Sequence, residues 1–154
     1  MTAYETSGPF SQIDIAPTAA HILGLKLPKQ DGRPIDLALA SASKNVAIII
    51  IDSLGYDLLI WLLPALGNMS EMISGGQLLR MACVSNHTTP AIASILSGLL
   101  PQNHGIFDKA GAKESPILSL PEIASLSGQS CAVIMEQNGA DVYQGLIEMA
   151  YGIS

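Results

Sequence analysis

The run Val46-Ala47-Ile48-Ile49-Ile50-Ile51-Asp52 constrains this fold more than any other stretch of the chain. Its apolar residues, mostly β-branched, follow one another without alternation and end on a carboxylate. A strand with one wet face alternates apolar and polar positions. A continuous run is instead the pattern of a parallel strand buried on both faces. Two further strands are predicted over residues 78–84 and 130–135. Helices are predicted between and around them, over 56–66, over 69–73 ahead of Gly75-Gly76, over 121–126 and over 140–150. Strand, helix and strand alternating at this spacing predict an α/β fold with a doubly wound, mainly parallel sheet and helices on both faces.

One helix has a marked start. Thr89-Pro90 pairs a good capping residue with proline at the first helical position. Behind it Ile92, Ile95, Leu96 and Leu99 fall on one apolar face, and Gly98 and Pro101 close the segment. Residues 100–119 then read as a long connection rich in Pro, Gly, Asn and Lys, the kind of loop that is usually functional or mobile. The first 40 residues differ in character. Ala16-Pro17-Thr18 leads into a short helix through His21 and Leu25, residues 27–34 are turn material, and residues 41–44 read as a linker. The expected division is residues 1–40 as a helical segment and 41–154 as an α/β core.

A chain of 154 residues can build a real core, burying roughly 70% of its unfolded surface. The difficulty is an excess of apolar sequence: 49% of residues are hydrophobic and only 13% charged, against roughly a quarter charged in typical soluble domains. Membrane insertion needs about 18 consecutive apolar residues. The longest greasy stretch, 58–66, is broken by Pro64 and stopped by Gly67-Asn68. The expectation is that much of the surface is covered, by another copy in a homo-oligomer or by further C-terminal polypeptide. A net charge of −6 with no basic block argues against nucleic acid. The start, Met1 to Gly8, lacks the charged and apolar regions of a signal peptide, so a cytoplasmic location is expected. The Asn-x-Ser/Thr triplets at Asn68 and Asn86 then carry no glycan, and Cys83 and Cys131 are expected to be reduced, buried thiols.

In open α/β sheets, ligands bind beyond the carboxyl ends of the strands. Asp52 would sit there on the first strand, and Ser85-Asn86-His87-Thr88-Thr89-Pro90 on the second, leading into a helix N-terminus that favours anions. A metal-binding carboxylate, a hydroxyl nucleophile and a helix N-terminus at one point suit phosphoryl or sulfuryl transfer. Each element also has an ordinary role. An Asp ending a strand is commonly a turn residue, Thr-Thr-Pro a plain cap, and His87 and His104 hydrogen-bonded loop histidines. His21 reads as structural, and Asp57 and Glu71 as solvated. Walker, GxGxxG, GxSxG and HExxH motifs do not occur.

Two blocks, VAIIIIDSLGY at 46–56 and NHTTPAIASILSGLLPQNHGI at 86–106, together resemble the type I phosphodiesterase/nucleotide pyrophosphatase domains of the alkaline phosphatase superfamily. The resemblance implies a phosphoric ester hydrolase acting on phosphodiesters or nucleotide pyrophosphates, with zinc held in two sites. By position it makes Asp52 a metal ligand and Thr88 both nucleophile and metal contact. Ser97-Gly98-Leu99-Leu100-Pro101 and His104-Gly105-Ile106 match the family's structural signature, so His104 is not expected to be a ligand. Residues 12–34 resemble the segment that closes these domains at their C-terminal end, which implies a permuted order. The family's later Asp and His ligands have no counterparts, since Asp108 and Asp141 lack the accompanying histidines. One Asp and one Thr cannot fill a four-coordinate zinc site, so the chain reads as an incomplete hydrolase acting on a small phosphate ester. Two alternatives stand beside it: a non-catalytic truncated or docking domain that oligomerises through an apolar face, and a flavodoxin-like module whose Thr88 loop only holds an anion.

Overall fold

The computed structural model describes residues 10–37, 45–147 and 150–153. The expected boundary at 40/41 and the linker at 41–44 lie outside the described residues. In chain order the elements are β1 (Phe10–Ser11), a 3-10 turn (Gln12–Asp14) and α1 (Ile15–Leu23). Next come α2 (Tyr56–Leu62), a second 3-10 turn (Leu63–Ala65), α3 (Gly67–Ser74) and β2 (Met81–Ala82). Then follow α4 (Thr88–Ser97), α5 (Pro101–His104), α6 (Lys109–Lys113) and α7 (Leu120–Leu126), and finally β3 (Val133–Glu136), α8 (Gln137–Val142) and β4 (Ala150–Ile153). This mixture of helix and strand, with β3 and β4 paired in parallel, is compatible with an α/β architecture. No helix among the described residues is long and apolar enough to cross a membrane.

The described residues divide into two units, one of Phe10 and residues 47–82, the other of residues 11–37, 45–46, 83–147 and 150–153. The second holds the core, and α4 runs through it. Thr89, Pro90, Ala91, Ala93, Ser94, Ile95, Leu96 and Ser97 are all buried. The i, i+3, i+4 face read from the sequence therefore understates the helix. Its Ala and Ser positions are inside as well, because small side chains let neighbours approach from other directions. One cluster gathers Ala93, Ile95 and Leu96 with Ile106, Ala112, Tyr143, Leu146 and Ile147. Another gathers Ala16, Ala19, Ala20 and Leu27 with Leu120 and Ile123. Burying each Leu or Ile contributes roughly 1.5–3 kcal/mol.

The N-terminal segment packs on α4 within this same unit. Gly98, at the end of α4, has φ +74, and a Cβ there would lie 2.9 Å from Pro17 Cδ. Its carbonyl accepts the Asp31 N–H at 2.8 Å and the Gly32 N–H at 3.1 Å. A Cβ on Gly32 would overlap the Ile13 carbonyl. The buried Asp14 carboxylate ties the segment to itself, accepting the Ser11 N–H at 2.8 Å and the Arg33 N–H at 2.9 Å.

Several sequence expectations change. Residues 46–51 join no strand among the described residues. Ile49 is 78% exposed and Ile51 52%, and a β-branched run needs ladder partners before it becomes a strand. Residues 78–84 shrink to β2. The long connection at 100–119 contains α5 and α6. The helix expected at 140–150 ends at Val142, and Ala150–Ile153 is a strand, Val133 pairing with Ala150 and Glu136 with Ile153. Cys83 and Cys131 are free but exposed rather than buried, since both lie in loop segments, and the Cys83 thiol donates to the Ser85 carbonyl at 2.6 Å.

Candidate functional site

Thr88 is the first residue of α4 and is exposed. The helix begins two residues earlier than the sequence implied. His87, with φ −109 and ψ 136, is the cap residue, and Thr88, Thr89 and Pro90 fill the first turn. Proline is tolerated there because the first N–H groups of a helix have no intrahelical partner. The first helical bond joins the Ala91 N–H to the His87 carbonyl at 3.2 Å.

The loop before Thr88 is pinned from two sides. Gln12 Oε1 accepts the Val84 N–H at 3.3 Å, and Ser85 Oγ accepts the His87 N–H at 3.0 Å. The second bond turns the chain at Asn86 and holds His87 extended, which places the Thr88 hydroxyl at the exposed mouth of a helix whose remaining length is buried.

Asp52 belongs to the other unit. It is exposed, and its Oδ1 accepts the Ser53 N–H at 2.9 Å, with Ser53 at φ 61. The chain then reaches Gly55, the cap residue of α2. Among the described residues no group of three or more His, Cys, Asp and Glu could hold a metal ion. Tetrahedral zinc requires three or four such donors, so the described side chains do not fit a complete zinc site.

Both blocks carrying the resemblance fall within the stretch that a family comparison recovers. Residues 46–111 match the family model for type I phosphodiesterase / nucleotide pyrophosphatase, in the alkaline phosphatase superfamily. The match includes Asp52 and Thr88 and bears out the family resemblance over that stretch. A search of the curated proteins and one of the solved structures found no match.

His104, in the matched signature, is buried, with both ring nitrogens engaged. Nε2 lies 3.0 Å from Ser94 Oγ, and Nδ1 accepts the Ile106 N–H at 3.0 Å. That agrees with a structural role. His21, Asp57 and Glu71 are exposed. The residue that sequence reasoning missed is Asp31, read only as turn material. Its carboxylate accepts the Leu100 N–H at 2.7 Å and the Asn103 Nδ2 donor at 2.8 and 2.9 Å. Leu100 is the cap residue of α5, so Asp31 supplies from 69 residues away the acceptor that Leu100 lacks. No local pattern signals such a pairing.

Proposed function

We propose that this chain carries the nucleophile-bearing part of a phosphoric ester hydrolase. Thr88 Oγ attacks the phosphorus of a small phosphate ester or diester, and the alcohol leaves with its bonding electrons and a proton. Water then attacks the phospho-threonine and restores the hydroxyl, releasing phosphate from an ester or the remaining phosphate monoester from a diester. The observation behind this reading is the position of Thr88 inside the matched stretch, exposed at the start of a ten-residue helix whose body is buried. The N–H groups and dipole there favour an anion.

Asp52 is the metal contact in this reading, and zinc is the metal that the family implies. When bound, zinc would supply charge neutralisation at the phosphoryl oxygens. The described donors do not complete its site, so the remaining ligands come from a second copy or from further polypeptide. The same additions would turn residues 46–51 into a central strand of the doubly wound sheet. A cytoplasmic homo-oligomer acting on small molecules, not nucleic acid, accords with the charge of −6.

A second reading, a docking domain without catalysis, has its own support. Residues 47–82 contain no buried residue, and Trp61 is 75% exposed. One experiment separates the two. Hydrolysis of a chromogenic phosphodiester is measured with and without added zinc, on protein of known metal content and oligomeric state. The hydrolase reading expects zinc-dependent turnover that Thr88→Ala abolishes without loss of fold. Turnover unchanged in Thr88→Ala removes the nucleophile assignment, and a folded oligomer with neither metal nor turnover favours docking.

A further inference from the structure

We propose that His104 is a proton-operated latch, which holds the Gly105-Ile106 turn against α4 while the ring is neutral and releases it when the ring takes up a proton. The inference stands on hydrogen-bond geometry and is independent of the hydrolase reading.

A backbone N–H can only donate. The Ile106 N–H points at His104 Nδ1 from 3.0 Å, so Nδ1 must carry a lone pair and no proton. The ring proton therefore sits on Nε2 and faces Ser94 Oγ at 3.0 Å. The ring, Ser94 and Ile106 are all out of solvent, at 1%, 0% and 0% exposure. Protonating Nδ1 would set two donors against each other in a place water does not reach. Leaving the Ile106 N–H unpaired there costs about 1–3 kcal/mol, so the turn must move.

The surroundings favour the neutral ring. Burial lowers the His104 pKa from its ordinary 6.5, and the Pro90 carbonyl and the Asp31 carboxylate oppose this more weakly. Helix α4 contributes no charged side chain, and α5 none besides His104 itself. In α6, Lys109 and Lys113 are exposed, and Asp108 at its start accepts the Gly111 N–H at 2.8 Å. Asp31 is thus the charge that faces the ring, and it already accepts the Leu100 and Asn103 donors.

The direction of the pH effect follows. Above 6.5 the ring is neutral in folded and unfolded chains alike, and the latch contributes its full stability. As pH falls below that value, the unfolded chain binds a proton that the folded chain refuses, and stability declines until the folded ring titrates. At that point Ile106, a member of the cluster with Tyr143, Leu146 and Ile147, loses its anchor.

The test reads the ring directly in the whole chain. Long-range proton–nitrogen spectra should show the Nε2–H tautomer at neutral pH and a folded titration midpoint below 6.5. Through that titration the Ile106 amide, corrected for intrinsic exchange, should lose protection by about tenfold, the equivalent of one buried hydrogen bond. His104→Asn keeps an acceptor near Nδ1 but cannot be protonated in this range, so its Ile106 protection should not change with pH. An Nδ1–H tautomer, a midpoint at or above 6.5, or Ile106 protection indifferent to the ring's titration in the unsubstituted chain would each overturn the latch. The wild-type spectra decide the matter even where the Asn variant fails to fold.

Discussion

Residues 47–82 are denser in Ile, Leu and Val than residues 83–147, yet it is the second stretch that is buried. The first stretch has Ile48 to Ile51, Leu58, Ile60, Trp61 and Met72 exposed and not one buried residue. The second buries nearly the whole of α4 together with Ile106, Leu146 and Ile147. Hydrophobicity alone does not separate them. The buried region intersperses Ala, Ser and Gly among its large residues, so that α1, α5 and α7 can approach α4 closely. It also carries long-range polar anchors, Asp31 to Leu100 and Gln12 to Val84. Residues 47–82 offer mostly bulky Ile, Leu, Met and Trp, with short-range side-chain hydrogen bonds such as Ser70 Oγ to the Leu63 carbonyl and Ser74 Oγ to the Glu71 carbonyl. Apolar surface supplies the drive to bury, while close approach and paired backbone groups decide where burial happens.

The sharpest way to break this contrast is a pair of truncations. Leu146→Ala removes a fully buried side chain and should cost about 2–5 kcal/mol in denaturant unfolding. Trp61→Ala, at a residue 75% exposed, should stay within about 0.5 kcal/mol. If Trp61→Ala is as damaging as Leu146→Ala, residues 47–82 have a packing partner in solution and the two regions are alike. A smaller effect separates two glycines. Gly98→Ala forces a Cβ into the left-handed region against Pro17 and should cost about 1–2 kcal/mol. Gly55→Ala meets open space and should be neutral within about 0.5 kcal/mol by the same unfolding measurement. Equal losses at both positions would mean that residues 47–82 are as tightly constrained as the core. The smallest effect tests what order the exposed region has. The Arg80 guanidinium lies 5.4 Å from the centroid of the Tyr56 ring, and Arg80→Met should cost about 0.5 kcal/mol in thermal unfolding. A loss several times larger would show that this contact is desolvated by something packed over it.

The parts of the fold legible in the sequence are those governed by neighbours a few residues apart. Helix α4 was legible from its apolar spacing and from Gly98, which ends it in the left-handed conformation that L-residues disfavour. Helices α2, α3 and α7 followed from similarly local signals. So did the candidate site, because Asp52 and Thr88 lie in contiguous motifs that needed no contact map to find. Tertiary structure decided what depends on partners far away in the chain. Residues 46–51 have the composition of a central strand, but a strand is half of a hydrogen-bond ladder, and among the described residues the other half is not supplied. The helix predicted over 140–150 stops at Val142, and Ala150, its expected last residue, opens a strand because pairing with β3 outweighs a weak local preference. Asp31 looked like turn material because its acceptors are used 69 and 72 residues away. Local torsional preferences extend over a turn or two of chain, whereas a hydrogen bond or a packed side chain forms wherever the fold brings two groups together. The sequence by itself therefore determined helices α1 to α4 and α7, the family resemblance and the candidate nucleophile, and only the tertiary structure decided which apolar residues became a core.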